Sequence, residues 1–146
     1  MEKKYILTDE IRAFYGKILH RIQAVRDFGN VKTGDLGGWI EKEENLSHGG
    51  HWWIDDHAKV YNTALIHGHA QVRGDAREYN DAHISGNTLI YGNAMVRGNV
   101  LVSDNVQICG HAVIQGNALV RGNALVRGDA LVSGNALVRG NAQVYD

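Results

Sequence analysis

The stretch Gly116 to Asp146 reads GNALVRGNALVRGDALVSGNALVRGNAQVYD. It repeats six letters: a glycine, Asn or Asp, Ala, a variable residue, an aliphatic residue and a polar residue. An internal repeat decides the fold before any other signal, because a missed period leads to the wrong architecture for the whole chain. The rest of the sequence is therefore interpreted through this period.

The same period extends upstream in three interleaved series. Steps of six from Asp56 to Asp146 meet eleven Gly, two Asn and three Asp. Steps of six from Ile54 to Val144 meet Ile or Val at fifteen of sixteen positions, and Glu78 is the exception. Steps of six from Ala58 to Ala142 meet twelve Ala. No residue is inserted or lost in this span, so one uniform architecture is expected throughout.

Each hexad predicts a very short strand followed by a corner. Ala118 and Val120 lie two residues apart, so they face the same side of a strand, and Leu119 faces the other side. The strand ends at Gly122 and Asn123, since Gly and Asn enter left-handed backbone conformations at low cost. The sequence therefore predicts an all-β solenoid whose narrow core is filled by Ala and by Val or Ile.

The pattern V-x-G-N-A-x resembles the hexapeptide repeat of the left-handed parallel β-helix, the LpxA-like superfamily, and YdcK-like proteins are the nearest in style. The resemblance covers about Asn45 to Asp146. It implies a single-stranded left-handed parallel β-helix with three hexads in each triangular coil. About five coils are expected.

The N-terminal part is predicted to cap this solenoid. Lys4–Leu7 and Lys17–Val25 read as two strands around a Tyr15-Gly16 turn, and a β-hairpin here would cover the open end of the coils. We expect residues 1–50 to form the hairpin and a Gly-rich cap, and residues 51–146 to form the β-helix. The hairpin followed by GDLGGWIEKEENLS resembles small phage and prophage proteins, which implies a phage-encoded accessory or host-factor antagonist.

Composition limits the possible functions. The 146 residues carry a net charge of −1, so there is no basic field for nucleic acid, and nucleic-acid binding is not expected. Cys109 is the single cysteine, which excludes a disulfide framework. The N-terminus MEKKYILTDE contains no apolar stretch, so neither a signal peptide nor a membrane span is predicted and a cytoplasmic location is expected.

The histidines do not predict a metal site. The γ-class carbonic anhydrases share the left-handed β-helix, and the resemblance would require two ligands five residues apart and a third on a neighbouring coil. No two histidines of this chain have that spacing. A catalytic zinc site needs three convergent protein ligands, so no metal is predicted.

Acyl transfer is the alternative enzymatic interpretation, because many members of the resembled superfamily are acetyltransferases. That resemblance implies acetyl-coenzyme A as the cofactor and His67, His69 or His83 as the general base. However, no loop leaves the predicted coils between Asp56 and Asp146, and loops usually carry the active site. We therefore predict a non-catalytic scaffold without a cofactor, and keep the acyltransferase as the alternative.

Glu78 interrupts the aliphatic series between Val60 and Val96. A carboxylate that points inward is costly, and an acid buried in this way would be a candidate site residue of the alternative enzyme. The other interpretation is a bulge at Arg77-Glu78-Tyr79 that turns Glu78 outward. We favour the bulge.

One predicted outer face carries a column of leucines. Its outward positions are Leu65, His83, Leu101, Leu119 and Leu137. A contiguous apolar stripe marks an association surface in many proteins. We predict that the four leucines form an interface of a homo-oligomer, dimer or trimer, and that the protein also binds another protein. The alternative is that duplication of the repeat copied leucine without any contact.

Overall fold

The computed structural model describes residues 3–145, and within them the fold is all β apart from one short 3-10 helix at Glu43–Asn45. Three longer strands come first: β1 (Tyr5–Phe14), β2 (Lys17–Ala24) and β3 (Leu36–Ile40). Two-residue strands then follow, one in each hexad: β4 (Trp53–Ile54), β5 (Lys59–Val60), β6 (Leu65–Ile66), β7 (Gln71–Val72), β8 (Arg77–Glu78), β9 (His83–Ile84), β10 (Leu89–Ile90), β11 (Met95–Val96), β12 (Leu101–Val102), β13 (Gln107–Ile108), β14 (Val113–Ile114), β15 (Leu119–Val120), β16 (Leu125–Val126), β17 (Leu131–Val132), β18 (Leu137–Val138) and β19 (Gln143–Val144). No helix in this part of the chain is long and apolar enough to cross a membrane.

The short strands stack in three parallel sheets. Leu89 of β10 lies opposite Gln71 of β7 on one side and Gln107 of β13 on the other, so neighbouring strands differ by 18 residues. This offset is three hexads, which is one coil of a parallel β-solenoid. The sheets run β3-β5-β8-β11-β14-β17, β4-β7-β10-β13-β16-β19 and β6-β9-β12-β15-β18. The predicted all-β solenoid is confirmed.

The solenoid has six coils, one more than predicted. The additional coil is the first one, in which Trp39 pairs in parallel with Lys59 and Leu46 bridges Ile66. Because Trp39 and Lys59 are 20 residues apart, this coil does not follow the hexad count. Parallel stacking therefore begins within the segment that the sequence assigned to the cap.

The core follows the alternation of the hexad. Ala118 is 1% exposed and Val120 is fully buried, whereas Leu119 between them is half-buried on the outer face. The same alternation holds along the solenoid, so the core is a column of small and medium apolar side chains. Fully burying one valine stabilises a fold by roughly 1.5–3 kcal/mol, and the repetition of this term explains why so short a strand is sufficient.

The corners combine left-handed backbone with close stacking. Gly116 has φ +75, and a Cβ atom there would lie 2.8 Å from the backbone of Gly134 in the next coil. Asn80 takes the same place two coils earlier at φ 58, and its Oδ1 accepts a hydrogen bond from the Gly98 N–H at 3.2 Å. Glycine or a side chain that bonds to the next coil is therefore required at these corners.

The predicted hairpin is present and extends the first sheet. Tyr15 (φ 48) and Gly16 (φ 76) form the two-residue turn between β1 and β2, a turn type that requires positive φ at both positions. β2 pairs antiparallel with β3, so the hairpin continues the sheet beyond the first coil. Trp52 is fully buried at the end of the core, where the side chain of Lys4 lies over its ring at 3.7 Å.

Candidate functional site

The three candidate histidines lie at the corner that follows β6 and on the adjoining outer face. His69 lies at a corner, where its Nδ1 accepts a hydrogen bond from the His51 N–H at 3.1 Å. His83 is exposed on the outer face opposite Leu65. Burial lowers the pKa of His67, and the charge of His83 lowers it further, so these two side chains are near each other. Within residues 3–145 no group of three His, Cys, Asp or Glu side chains could hold a metal ion.

Glu78 is buried, and the expected bulge is wrong. The residue pairs in register with Val60 and Val96, and its side chain is fully enclosed by the core. The backbone explains this outcome, because Tyr61 N–H donates to the Glu78 carbonyl and Tyr79 N–H donates to the Val96 carbonyl. A bulge would break these ladder bonds.

Burial disfavours the charged form of the Glu78 carboxyl group. Neither of its oxygens has a hydrogen-bond partner among the described residues, and burial raises its pKa well above the ordinary value. A group enclosed in this way cannot meet a substrate at the surface. Glu78 therefore does not join the histidines in a catalytic arrangement.

The leucine column, defined as Leu65, Leu101, Leu119 and Leu137, is continuous apart from His83. Leu101 lies opposite Leu119 in the next coil, and Leu119 lies opposite Leu137. Leu101 is 44% exposed and Leu137 is 50% exposed. The alignment of these side chains agrees with the sequence, and self-association through them stays a prediction.

A groove lies at the tip of the hairpin. Its cavity has a volume of about 390 Å³ and lies between the turn of the hairpin and one corner of the second, third and fourth coils. Aromatic rings and guanidinium groups dominate it, and we call it the aromatic–arginine groove. It is lined by Tyr15, Tyr61, Asn62, Arg77, Tyr79, Asn80, Met95 and Arg97.

Two stacked tyrosines form one wall of this groove. Tyr61 and Tyr79 follow β5 and β8 at the same corner, and their ring centroids are 4.9 Å apart with 3° between the planes. Phe14 of the hairpin packs edge-on against Tyr61 at 5.7 Å. Leu19 and Trp39 complete a small apolar cluster outside the main core. The hairpin is thereby fixed against the solenoid, and the groove is built from rigid elements.

Arg97 is held in place by neutral partners. Its Nη1 donates to the Tyr79 hydroxyl at 3.2 Å, and its Nε and Nη2 donate to Oε1 of Gln115. These contacts fix the orientation of the guanidinium group without neutralising its charge. Arg97 has no ion pair within residues 3–145.

Arg77 has weaker contacts. Its Nη2 donates to the Met95 sulfur at 3.2 Å, and its guanidinium group lies 5.8 Å from the Tyr15 ring and 5.9 Å from the Tyr79 ring. The Tyr61 hydroxyl is a further hydrogen-bonding neighbour and the Phe14 ring lies 5.6 Å away, so all the contacts of Arg77 are with neutral groups. No carboxylate of the described chain forms an ion pair with it.

Lys59 lies opposite Arg77 in the neighbouring strand, beside the groove. Burial lowers the pKa of Lys59, and the charges of Arg12 and Arg77 lower it further against the opposing effect of Asp75. Burial also raises the pKa of Tyr61 to about 12, so this hydroxyl stays protonated. The groove thus joins the guanidinium groups of Arg77 and Arg97, which have no ion pair within residues 3–145, to neutral aromatic rings.

The sequence contained part of this signal. Tyr61, Tyr79, Arg97 and Gln115 follow one another at steps of 18 residues, so they had to share one corner of the solenoid. Reasoning by outer faces alone missed that corner column. The contribution of Tyr15 could not be found, because no repeat specifies where the hairpin tip docks.

The fold and this surface define the class of the protein. It is a parallel β-solenoid wound from hexapeptide repeats, capped by a hairpin that builds a groove on one corner. Residues 90–104 and 106–122 match the family model described as YdcK Beta solenoid repeat. These two stretches of the solenoid therefore resemble the YdcK repeat, in line with the resemblance noted from the hexads.

One curated relative is similar over part of the chain. It is the protein named Uncharacterized acetyltransferase YdcK of Escherichia coli (strain K12), which is 37% identical over 75 residues. The match covers 45% of this chain and 23% of that relative. Because the chain spans less than a quarter of the relative's length, any activity of the whole relative is only a proposal for this protein.

Proposed function

We propose that this protein is a non-catalytic β-solenoid scaffold that binds another protein through the aromatic–arginine groove. The observation that carries the proposal is the pairing of Arg77 and Arg97, which have no ion-pair partners among the described residues, with the stacked rings of Tyr61 and Tyr79. Tyrosine and arginine are the residues most enriched at protein interfaces and at their energetic hot spots.

Rigidity supports this function. Each corner and strand of the groove is tied to the next coil by backbone hydrogen bonds, such as Arg77 N–H to the Ala94 carbonyl at 3.0 Å and Tyr79 N–H to the Val96 carbonyl at 3.0 Å. A site that is formed before binding loses little conformational entropy when the partner arrives. The hydrogen-bonded coils therefore keep the residues of the groove in position before a partner binds.

The positions of the histidines also favour binding over acid–base catalysis. His67, His69 and His83 lie outside the aromatic–arginine groove, and Glu78 is enclosed in the core. A general base must lie within hydrogen-bond reach of the group that it deprotonates. In this arrangement, the candidate bases do not line the aromatic–arginine groove.

Self-association is the second part of the proposal. A homo-oligomer, dimer or trimer, would bury the leucine column and leave the groove available on another side of the solenoid. A phage-encoded accessory that engages a host factor would be one setting for such a scaffold, and this setting stays a prediction.

An acyltransferase is the alternative function, suggested by the similarity to the E. coli protein named as an acetyltransferase. In that case acetyl-coenzyme A would be the cofactor and His67, His69 or His83 would supply the base. Calorimetric titration with acetyl-coenzyme A separates the two functions. Binding that is weakened by His67→Ala, His69→Ala or His83→Ala would support the alternative, and the absence of binding would favour the scaffold.

The direct test of the scaffold compares protein capture by three immobilised forms. These are the wild type, Arg77→Met in the groove and Arg121→Met at an exposed corner away from it. A methionine at position 77 continues the column that already contains Met95, so the variant is expected to fold. We expect a protein retained by the wild type and by Arg121→Met to be lost from Arg77→Met. Equal retention by all three would contradict the proposal.

A further inference from the structure

We infer that the aromatic–arginine groove takes an acidic peptide segment in which a carboxylate stands next to an aromatic side chain. This inference rests on the proposed binding function and names the chemistry of the partner. The carboxylate is inferred from the guanidinium groups of Arg77 and Arg97. The aromatic side chain is inferred from the exposed ring of Tyr15.

The guanidinium pair requires an anion. Arg97 is oriented by the Tyr79 hydroxyl and by Gln115, so its charge is fixed and unneutralised. Arg77 stands one coil before it, and its five N–H donors outnumber its two hydrogen-bonding neighbours, the Met95 sulfur and the Tyr61 hydroxyl. Guanidinium groups bind carboxylates in planar, two-bonded geometry, and such charge-assisted hydrogen bonds are the strong ones. A glutamate or aspartate side chain matches this arrangement.

The exposed ring of Tyr15 offers a contact surface for an aromatic side chain. Tyr15 is 80% exposed at the tip of the hairpin, and its ring packs edge-on against the Phe14 ring at 4.6 Å. The guanidinium group of Arg77 lies within 6 Å of the rings of Tyr15 and Tyr79, which places both rings around one space. An aromatic side chain of the partner would contact Tyr15 and the edge of the tyrosine stack. Aromatic pairs of this kind are favourable beyond the area that they bury.

The charge of the whole chain favours a peptide over a nucleic acid. Nucleic-acid binding relies on many cations along an extended path, and this chain has a net charge of −1. Its groove concentrates a few cations in about 390 Å³. That volume suits one or two side chains and not a continuous backbone of phosphates.

The experiment is a fluorescence anisotropy titration with labelled peptides at low ionic strength. The probe is Glu-Glu-Tyr-Glu-Glu, and the controls are Gln-Gln-Tyr-Gln-Gln, which lacks charge, Glu-Glu-Ala-Glu-Glu, which lacks the ring, and a labelled oligothymidylate. Each is titrated with wild type, Arg77→Met, Arg77→Lys and Arg121→Met. A thermal melt of every variant confirms that it folds.

We expect the acidic tyrosine peptide to bind wild type and Arg121→Met equally and to bind Arg77→Met roughly tenfold or more weakly, as the loss of one charge-assisted contact implies. Arg77→Lys should be intermediate, because it keeps the charge and loses the planar fork. Both control peptides should bind wild type more weakly than the probe does.

Three results would overturn the inference: equal binding of the probe by wild type and Arg77→Met, equal binding of the uncharged peptide, or tighter groove-dependent binding of the oligothymidylate. These failures differ from a failure of the proposed function. If protein capture depends on Arg77 but no acidic peptide binds, only the ligand chemistry is wrong. If capture is also independent of Arg77, the binding function fails as well.

Discussion

Glu78 is the residue at which the repeat and the chemistry of its side chain conflict. It occupies a position that is otherwise Ile or Val from Ile54 to Val144, and both of its carboxyl oxygens are buried without partners. A buried polar group without a hydrogen bond costs about 1–3 kcal/mol. Glu78 points inward because turning it outward would break backbone hydrogen bonds between the coils, and this would cost more free energy than burying one carboxyl group.

Replacing Glu78 with valine should therefore stabilise the protein. Glu78→Val restores the side chain that the repeat has elsewhere, and we expect a rise in the free energy of unfolding of about 1–3 kcal/mol, measured by urea denaturation. The reverse change, Val96→Glu in the next coil, is the control and should destabilise by about 2 kcal/mol or more. A less stable Glu78→Val protein would mean that the carboxyl group makes a favourable contact.

Glu78 also predicts a pH dependence of stability. Its pKa in the folded protein is raised well above 4.5, so the folded state holds a proton that the unfolded state releases. The contribution is complete below pH 4.5 and is lost as the pH rises through the raised pKa, at up to about 1.4 kcal/mol per pH unit. We expect Glu78→Gln to remove this slope in a series of denaturation curves. Parallel pH profiles for the two proteins would contradict the prediction.

The titration of Lys4 predicts that stability rises with pH at higher pH, which is opposite in sign to the effect of Glu78. Burial lowers its pKa from 10.5 to about 7, and the charge of Arg26 acts in the same direction. Between these values the unfolded state binds a proton that the folded state does not, so stability rises from about pH 7 to about pH 10.5. Lys4→Met should lose this rise relative to wild type. An unchanged rise would show that the contacts of Lys4 with Trp52 and the Gly50 carbonyl keep the ammonium form.

At the scale of the element, the corner of each hexad restricts which residue types the chain can accommodate. Gly116 and Gly134 stack in one column, but a Cβ atom on Gly116 would lie 2.8 Å from the Gly134 backbone, whereas a Cβ atom on Gly134 would meet nothing within 4 Å. The two glycines therefore share a left-handed backbone and differ in the space above them. This difference allows the steric effect to be measured separately from the backbone effect.

Gly116→Ala should be much more destabilising than Gly134→Ala. We expect a loss of about 1 kcal/mol for Gly134→Ala from the left-handed backbone and roughly 2–4 kcal/mol for Gly116→Ala when the overlap is added. Gly116→Asn should be milder than Gly116→Ala, because Asn80 in the same column accepts a hydrogen bond from the next coil. Thermal melts test the order, and equal losses at the two glycines would contradict it.

The elements differ in how far the sequence could predict them. The strands from β5 onward follow from the hexad alone, because inward Ala and Val or Ile can only be buried in one register. The hairpin follows from the alternation of β2 and from the Tyr15-Gly16 turn. The first coil was not predicted as a coil, since Trp39 and Lys59 are 20 residues apart and the segment between them contains a 3-10 helix instead of a hexad corner.

At the scale of the whole molecule, the leucine column predicts self-association. We expect light scattering to give the mass of a dimer or trimer for the wild type and of a monomer for Leu119→Arg, because a charge at the centre of an apolar interface is strongly unfavourable. Leu131→Arg is the matched control, since Leu131 is 61% exposed and lies in a different sheet. A monomeric wild type, or an equal effect of both substitutions, would contradict the prediction.

The candidate site was only partly predictable at this scale. The corner column of Tyr61, Tyr79 and Arg97 follows from the coil length, but the groove needs the hairpin to return across the first coils. That docking depends on Phe14 and Leu19 packing against Tyr61, which is a contact between distant parts of the chain. Sequence periodicity contains no information about such a contact, so the groove appears only in three dimensions.

The central claim is that the aromatic–arginine groove is the functional site, and arginine side-chain NMR tests it most directly. The Nε–H signals of Arg77 and Arg97 would be followed while Glu-Glu-Tyr-Glu-Glu is added, with Arg121 and Arg139 as internal references. The account predicts saturating shifts of the first two signals and none of the references. Unchanged Arg77 and Arg97 signals while the peptide binds, or equal shifts of all four, would contradict it.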